Sequence, residues 1–197
     1  RVFANEGAHV AIVDLNEDGA RSLSAEVGKT SIAIKCDVSS AADVRNAVEA
    51  TRTRFGRLDI VINNAGTTHR NKPMLEVTED EFDRVYAVNV KSLFHMAHAA
   101  VPIMRAQGGG SMLNVGSTAG LRPRPGLTWY NGSKGAANLL TKSMAVELAP
   151  DKIRVNGLAP VAGDTPLLPM FLGSDTPEVR AKFIASIPLG RFSKPSD

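Results

Sequence analysis

The sequence predicts a doubly wound α/β fold, in which a parallel β-sheet lies between two layers of helices. Strand-length apolar runs alternate with helix-length amphipathic runs along the 197 residues, an order typical of right-handed strand–helix–strand crossovers. The run at residues 58–63 is almost entirely apolar, as expected of a strand buried on both faces of a parallel sheet. No repeat or linker interrupts the alternation, so residues 1–197 are expected to form a single domain.

Five strands are predicted from short β-rich runs bounded by glycine or polar residues. They cover residues 9–14, 30–36, 58–63, 111–115 and 154–158.

Helices are predicted from apolar residues spaced three and four apart and from capping residues. Ser39 or Ser40 is expected to cap the second full helix, and Thr78 with Glu81 has the capping-box pattern. The predicted helices cover residues 16–27, about 39–55, 78–107 with one break, 129–148 and 177–186, and a further helix ends at Gly7.

Composition and charge exclude several classes of function. The formal net charge of +3 is spread along the chain, and no basic block with interleaved aromatic residues suggests nucleic-acid binding. No apolar stretch is long enough to cross a bilayer. The four histidines lack zinc-type spacing, so no metal site is expected. The single cysteine, Cys36, excludes an intrachain disulfide and fits a cytoplasmic location.

Ligands of doubly wound sheets bind beyond the carboxyl ends of the strands. In this sequence those ends are Asp14, Asp37 and residues 63–66, 116–120 and 159–165.

Tyr130 and Lys134 lie four residues apart on a predicted helix and therefore share a face. An ammonium group close to a phenol lowers the phenol pKa, which makes tyrosine a usable general acid/base near neutral pH. Ser117 follows a buried strand, where its hydroxyl can donate to a substrate oxygen. A surface helix pair and an ordinary strand-end turn are the structural alternatives.

Small and amide residues follow the most apolar strand at residues 63–66. Gly66 allows close approach of a flat ligand, while Asn63 can tie the loop to neighbouring strands; a simple turn is the alternative. Asn89 is a polar residue in an apolar helical stretch, where it holds a water or distorts the helix.

Taken together, these motifs resemble the short-chain dehydrogenase/reductase family in its shorter, single-domain branch, with a Rossmann-type three-layer fold. The resemblance covers essentially the whole chain and is carried by several motifs in the family's order. They are Asp37-Val38, Asn63-Asn64-Ala65-Gly66, Asn89, Ser117, Tyr130, Lys134 and Asn156.

The resemblance implies a catalytic role for four residues. Tyr130 would be the acid/base, and Lys134 would lower its pKa and bind the nicotinamide ribose. Ser117 would orient the carbonyl, and Asn89 would hold a water in a proton relay behind Lys134.

The resemblance also implies a set of cofactor contacts. Asp37 and Val38 would flank the adenine, and Asn63, Ala65 and Gly66 would line the adenosine ribose. Pro160 and Thr165 would belong to the loop at the nicotinamide, with Thr165 contacting the carboxamide.

Two departures from the family pattern stand out. The glycine-rich phosphate-binding turn, which follows the family's first strand, does not occur in this sequence, and both ends of the chain look truncated, so the first and last strands of the fold are expected to be missing. Without the central strand, residues 1–197 alone are not expected to fold stably or to bind cofactor. In Pro160-Val161, valine replaces a frequent glycine and cannot easily adopt a positive φ.

Asp14 predicts a preference for NAD over NADP. A carboxylate at the end of this strand can accept both ribose hydroxyls of NAD and repels the additional phosphate of NADP, which Leu15 cannot offset. Capping of the following helix is the alternative role of Asp14.

The expected function is hydride transfer between a nicotinamide cofactor and a small alcohol or ketone, such as a 3-oxoacyl thioester, a secondary alcohol or a sugar. A nucleotide-sugar epimerase or dehydratase is less consistent with the short spacing of the motifs. A catalytically silent binding or regulatory protein on the same fold is the alternative from another class. Family relatives are commonly tetramers that pair their long helices, so a homotetramer or homodimer is expected.

Overall fold

The computed structural model describes residues 1–194 and 197, and this part of the chain contains five β-strands. All five predicted strands are confirmed, with ends shifted by a few residues. They are β1 (Val10–Asp14), β2 (Ser31–Lys35), β3 (Ile60–Asn63), β4 (Gly110–Val115) and β5 (Ile153–Leu158).

The described strands form two sheets instead of one continuous sheet. Strands β1 and β2 pair in parallel, with a register that runs from Val10 opposite Ser31 to Asp14 opposite Lys35. The other sheet has the order β3-β4-β5. No described strand pairs with both β1 and β3, which is why the predicted sheet is divided. Parallel strands with flanking helices nevertheless give a Rossmann-like α/β fold.

Eight α-helices are present among the described residues. Asn16, Ser40 and Thr78 cap the second, third and fourth with their side chains, and Thr78 with Glu81 forms the predicted capping box. The helices are α1 (Val2–Asn5), α2 (Glu17–Val27), α3 (Ala41–Phe55), α4 (Glu79–Tyr86), α5 (Ser92–Ala106), α6 (Thr128–Leu148), α7 (Leu168–Leu172) and α8 (Pro177–Ile184).

The predicted break in the long helix is a π-helical turn over Ala87–Lys91, with Asn89 at its centre. Such turns are rare and are often found at functional sites. Asn89 therefore lies where the helix is distorted.

The residues cluster into two compact units. The first consists of Arg1–Val61, Lys91–Met112 and Leu148–Arg154, in which α3 packs against α5 and β2. Cys36 lies in its core with Val44 and Ala47. Burial raises the pKa of the Cys36 thiol to about 11, so this residue is a packing residue and not a reactive thiolate.

The second unit consists of Ile62–Val90, Leu113–Glu147 and Val155–Asp197. Its core joins Ala119, Leu127, Tyr130 and Phe171. Phe171 comes from α7, a short helix between predicted strand 154–158 and predicted helix 177–186, where no element was predicted.

Two absences hold over the described residues. None of the helices is long and apolar enough to cross a membrane. Histidine, cysteine and carboxylate side chains form no cluster of three that could hold a metal ion.

Candidate active site

Tyr130 and Lys134 project from the first turns of α6, and both side chains are buried. The Lys134 Nζ donates to the carbonyl oxygen of Val115, at the end of β4, over 2.8 Å. Burial lowers the pKa of Lys134 to about 8, because desolvation disfavours the charged form. The lysine is therefore an anchored donor beside the end of a strand, and it is not the surface residue that the alternative explanation required.

Ser117 lies beside Tyr130, as expected. It begins a 3₁₀ turn over Thr118–Gly120, and its Oγ accepts from the amide of Ala119 over 3.1 Å. Burial raises the pKa of the Tyr130 phenol, while a hydrogen bond with the Ser117 side chain acts in the opposite direction. In this structure the phenol thus favours its protonated form.

Asn89 forms a reciprocal pair with Thr67. Its Oδ1 accepts from the Thr67 amide over 2.8 Å, and its Nδ2 donates to the Thr67 carbonyl over 2.9 Å. The same Nδ2 donates to the Ser133 Oγ over 2.9 Å, which in turn donates to the Tyr130 carbonyl over 2.7 Å. Asn89 consequently ties the loop after β3 to the turn of α6 that carries Tyr130.

Gly66 lies close to the side chains of both Lys134 and Asn89. A Cβ added there would lie 3.3 Å from the Lys134 Nζ and 3.5 Å from the Asn89 Oδ1. The absence of a side chain therefore leaves a cradle over both groups. A polar ligand entering it would meet an ammonium with two unused donors and an amide oxygen, which suits the ribose hydroxyls of a nicotinamide cofactor.

The Asn63 side chain makes a hydrogen bond within the fold. Its Nδ2 donates to the Asn114 Oδ1 over 2.8 Å, and the Asn114 Nδ2 donates to the Thr141 Oγ1 over 3.0 Å. These hydrogen bonds link β3, β4 and α6; Asn114 and Thr141 are buried and Asn63 is half-buried. Sequence reasoning missed Asn114 and Thr141, although a polar residue inside a buried strand was a usable signal.

Asn138 holds the turn after β4 against α6. Its Nδ2 donates to the Ser117 carbonyl over 3.1 Å. A Cβ on Gly116 would lie 2.0 Å from the Asn138 Oδ1, so a side chain at that position would displace the Asn138 amide. This contact was not predicted. It fixes the position of the Ser117 backbone against α6.

Asn71 is a second unpredicted positioning residue. Its Nδ2 donates to the Pro125 carbonyl over 3.1 Å and to the Phe171 carbonyl over 3.3 Å, and its amide donates to the Met170 carbonyl over 2.9 Å. A Cβ on Gly126, whose φ is +73°, would lie 2.0 Å from the Asn71 Oδ1. Asn71 therefore fastens three loops of the second unit together.

Pro160 and Thr165 lie in the loop between β5 and α7. The Pro160 carbonyl accepts from the Thr118 amide over 3.1 Å, and the Thr165 carbonyl accepts from the Leu168 amide over 2.9 Å. Val161 does not adopt a positive φ; within residues 1–194 and 197, Lys152 is the only residue other than glycine that does. The loop therefore accommodates valine without strain.

Of the predicted adenosine contacts, Asp14, Asp37 and Val38 belong to the first unit, whereas Asn63, Ala65 and Gly66 belong to the second. The Asp14 Oδ1 accepts from the Asn16 amide over 2.8 Å, and Leu15 is exposed. The N-cap of α2 is Asn16, whose Oδ1 accepts from the Gly19 amide, so the alternative that Asp14 caps this helix is wrong.

Asp37 forms a turn beside Val38, which packs against the core of the first unit. The Asp37 Oδ1 accepts from the amide of Ser39 over 2.9 Å and from its hydroxyl over 2.7 Å. The backbone of this segment is therefore fixed by its own side chains.

Comparison with known proteins identifies the chain's relatives. The model of the family described as enoyl-(acyl carrier protein) reductase matches residues 1–197. The chain is 50% identical to the 4-formylbenzenesulfonate dehydrogenase of Comamonas testosteroni, over all of this chain and 80% of that protein. It is 36% identical to the 3-oxoacyl-[acyl-carrier-protein] reductase of Thermotoga maritima, over all of this chain and 79% of that protein.

A solved structure shows the same fold. The 3-ketoacyl-(acyl-carrier-protein) reductase of Brucella melitensis, complexed with NADH, superposes with a TM-score of 0.92 at 44% identity, over 99% of this chain and 78% of that one. These two relatives and this structural match are dehydrogenases or reductases by name. The chain therefore belongs to the short-chain dehydrogenase/reductase family and is a nicotinamide-dependent oxidoreductase acting on alcohol or carbonyl groups.

Proposed function

We propose that Tyr130 is the general acid/base of this oxidoreductase and that Ser117, Lys134 and Asn89 complete its catalytic site. The observation that carries the proposal is that Tyr130, Ser117 and Lys134 are all buried and that the Ser117 side chain lowers the raised pKa of the Tyr130 phenol, beside the cradle over Lys134.

In the reducing direction, the Ser117 hydroxyl donates to the carbonyl oxygen and holds it beside the phenol. Tyr130 then gives its proton to this oxygen as negative charge develops there. The nicotinamide cofactor, when bound, supplies the hydride in this direction and accepts it in the other. Because burial raises the pKa of Tyr130, the free enzyme holds the phenol in the protonated form that reduction requires.

Lys134 has two tasks in the proposed site. With a pKa of about 8, it is mostly protonated at neutral pH and stabilises the phenolate when Tyr130 has lost its proton. One of its three N–H donors is used by Val115, so two remain for the ribose hydroxyls of the cofactor.

Asn89 is proposed to hold a water behind Lys134. Both Nδ2 donors and one lone pair of Oδ1 are used by Thr67 and Ser133. One lone pair of Oδ1 is left, so the water would donate to Asn89. This assigns the direction of the first hydrogen bond in the proposed relay.

NAD is proposed as the preferred cofactor, with Asp14 and Leu15 at its adenosine ribose and Asp37 with Val38 at the adenine. Asp14 uses only its Oδ1 in the turn to Asn16, which leaves the Oδ2 for a ribose hydroxyl. Ala65 and Gly66 are proposed to border the ribose, and Asn63 supports them through Asn114. Pro160 and Thr165 are proposed to line the nicotinamide side.

The proposed substrates are small alcohols and carbonyl compounds. The names of the relatives give three classes to test: an arylsulfonate aldehyde, a 3-oxoacyl thioester, and secondary alcohols such as cyclopentanol. The apolar side chains of α7 and α8 (Leu168, Phe171 and Phe183) support a substrate with an apolar body.

A homotetramer or homodimer, built through α6, is also proposed. Leu139 and Val146 are seven residues apart on this helix and are 65% and 79% exposed, so one helical face carries unburied apolar surface. Light scattering on the purified enzyme tests this, and a strict monomer would contradict it. A single cytoplasmic domain remains the expected context, supported by the free thiol of Cys36.

The catalytic proposal is tested by assaying the purified enzyme with both cofactors against the three substrate classes. Cofactor-dependent turnover that is lost in Ser117→Ala and Tyr130→Phe supports it. If no substrate is turned over while NAD still binds, the catalytically silent alternative is favoured.

A further inference from the structure

Three aromatic rings form a row that begins at the proposed acid/base. The ring centroids of Tyr130 and Phe171 are 5.7 Å apart at an interplanar angle of 85°, and those of Phe171 and Phe183 are 5.9 Å apart at 78°. Edge-to-face contacts of this kind hold the rings in fixed orientations. The row, defined as Tyr130, Phe171 and Phe183, joins α6 to α7 and α8.

A cation lies at the far end of this row. The Arg124 guanidinium carbon lies 4.1 Å from the centroid of the Phe183 ring, directly over its face. Arginine stacks in this way when its planar group is partly removed from water. The row therefore has a proton donor at one end and a positive charge at the other.

Arg124 has no anionic partner among the residues that the structure describes. Its side chain takes part in none of their ion pairs or hydrogen bonds, whereas Arg180 is paired with both Asp175 and Asp164. Arg124 is also half-buried, and the loss of water lowers the pKa of its guanidinium, which nevertheless stays charged. A partly desolvated cation without a counter-ion is destabilised, and an incoming anion would offset that.

The backbone at Arg124 is held in place from two sides. The Asn131 Nδ2 donates to the Arg124 carbonyl over 2.8 Å. Asn131 is the residue that follows Tyr130 in the sequence. On the other side, the Gly126 carbonyl accepts from the Lys72 amide over 3.1 Å. The backbone that carries this cation is therefore held by hydrogen bonds on both sides.

We propose that Arg124 binds an anionic group of the substrate, a carboxylate or a sulfonate, that is remote from the reacting carbon. The guanidinium offers two parallel N–H donors to two oxygens of such a group. The apolar or aromatic body of the substrate would lie along the row of rings, with its alcohol or carbonyl at Tyr130. This deepens the proposed function and depends on it, because it assumes that the reaction takes place at Tyr130.

The test compares two para-substituted benzaldehydes, one with an anionic sulfonate group and one with a neutral methyl group. The purified enzyme is assayed with 4-sulfobenzaldehyde and 4-methylbenzaldehyde, in the wild type, in Arg124→Gln and Arg124→Lys, and in the control Arg122→Gln. Arg122 is exposed and lies two residues away. The ratio of kcat/KM for the anionic over the neutral substrate should fall about 10–100-fold in Arg124→Gln, mainly through KM. It should fall less in Arg124→Lys and stay within about twofold in Arg122→Gln.

Salt dependence gives a second readout. The KM for the anionic substrate should rise with ionic strength in the wild type and not in Arg124→Gln, because screening acts on the charge pair. An unchanged ratio in Arg124→Gln would overturn the proposal. An equal loss on both substrates, or a rise in the KM of the cofactor, would also overturn it, because each would give Arg124 a packing or cofactor role.

Binding separates this proposal from the catalytic one. Isothermal titration with benzenesulfonate requires no turnover, and the wild type should bind it at least ten times more tightly than Arg124→Gln. If neither aldehyde is turned over but this difference is found, the anion site stands and the proposed function fails. If both aldehydes are turned over without any difference between the variants, the reverse holds.

Discussion

Gly120 and Gly135 face each other across the contact between the turn after β4 and helix α6, and the contact is asymmetric. A Cβ added to Gly120 would lie 2.5 Å from the backbone nitrogen of Gly135 and 2.6 Å from the carbonyl carbon of Lys134. A Cβ added to Gly135 would lie 3.6 Å from the Gly120 oxygen, an ordinary van der Waals distance. The atoms that a methyl group on Gly120 would meet therefore belong to the backbone of α6, which cannot move aside as a side chain could.

Alanine substitutions at these two glycines should have different effects on the stability of the protein. Gly120→Ala should destabilise the protein by about 1–3 kcal/mol, because the turn or the helix must shift to admit the methyl group. Activity should also fall, since Ser117 and Lys134 lie on the two sides of the contact. Gly135→Ala should be neutral or stabilise the helix by up to about 1 kcal/mol. Urea denaturation of both variants measures this, and similar destabilisation in both would show that the packing is misassigned.

The two tyrosines of the chain offer a matched test of the acid/base. Tyr130→Phe should lower kcat by about 10²–10⁴-fold, because positioned proton transfer is lost, while the dissociation constant of the cofactor changes little. Tyr86→Phe is the control, since Tyr86 is stacked on Phe82 and has no role in the proposed mechanism. Near-normal turnover in Tyr130→Phe, or an equal loss in Tyr86→Phe, would refute the assignment of Tyr130.

Burial of Lys134 predicts a pH dependence of stability. Its pKa is about 8 in the folded protein and about 10.4 in an unfolded chain. Between these values the unfolded state binds more protons, so this group makes the protein more stable as pH rises through that window. The free energy of unfolding of the wild type should therefore increase relative to Lys134→Met from pH 8 to pH 10. The exposed Lys142 of the same helix serves as control.

Chemical denaturation at several pH values measures both differences. The comparison with Lys142→Met should stay flat across the window, because that side chain is exposed. A wild type that loses stability relative to Lys134→Met with rising pH would mean that the lysine is not desolvated as the structure shows.

The sequence predicted those parts of the fold and site that depend on local pattern. All five strands follow from apolar runs, and the capping box at Thr78 follows from residue types alone. The proximity of Ser117 to Tyr130 followed from the family resemblance together with the rule on strand ends. These features are specified within a few residues of chain.

The missed features depend on contacts between distant residues. Asn71 joins loops whose residues are 54 and 100 positions away, and no local pattern marks an asparagine for such a role. Helix α7 has only five residues and a proline near its start, so its propensity is weak and packing of Phe171 against Tyr130 stabilises it.

The final prediction concerns Asp14 and the choice of cofactor. Asp14 is exposed at the end of β1, and its Oδ1 is fixed by the Asn16 amide, so its negative charge is held at the position proposed for the adenosine ribose. The neighbouring Leu15 is 64% exposed and brings no positive charge. The wild type should therefore show a higher kcat/KM with NAD than with NADP, since the additional phosphate of NADP carries close to two negative charges.

The double substitution Asp14→Ala with Leu15→Arg should abolish or reverse this preference, because it removes the repulsion and adds a phosphate partner. Asp18→Ala is a suitable control, since it removes an acidic residue from the first turn of α2 without touching the proposed ribose contact. Steady-state kinetics with both cofactors at a fixed ionic strength measure the ratio in each variant. A wild type that uses NADP better than NAD would show that the charge at Asp14 does not determine the choice, and that another part of the cofactor site does.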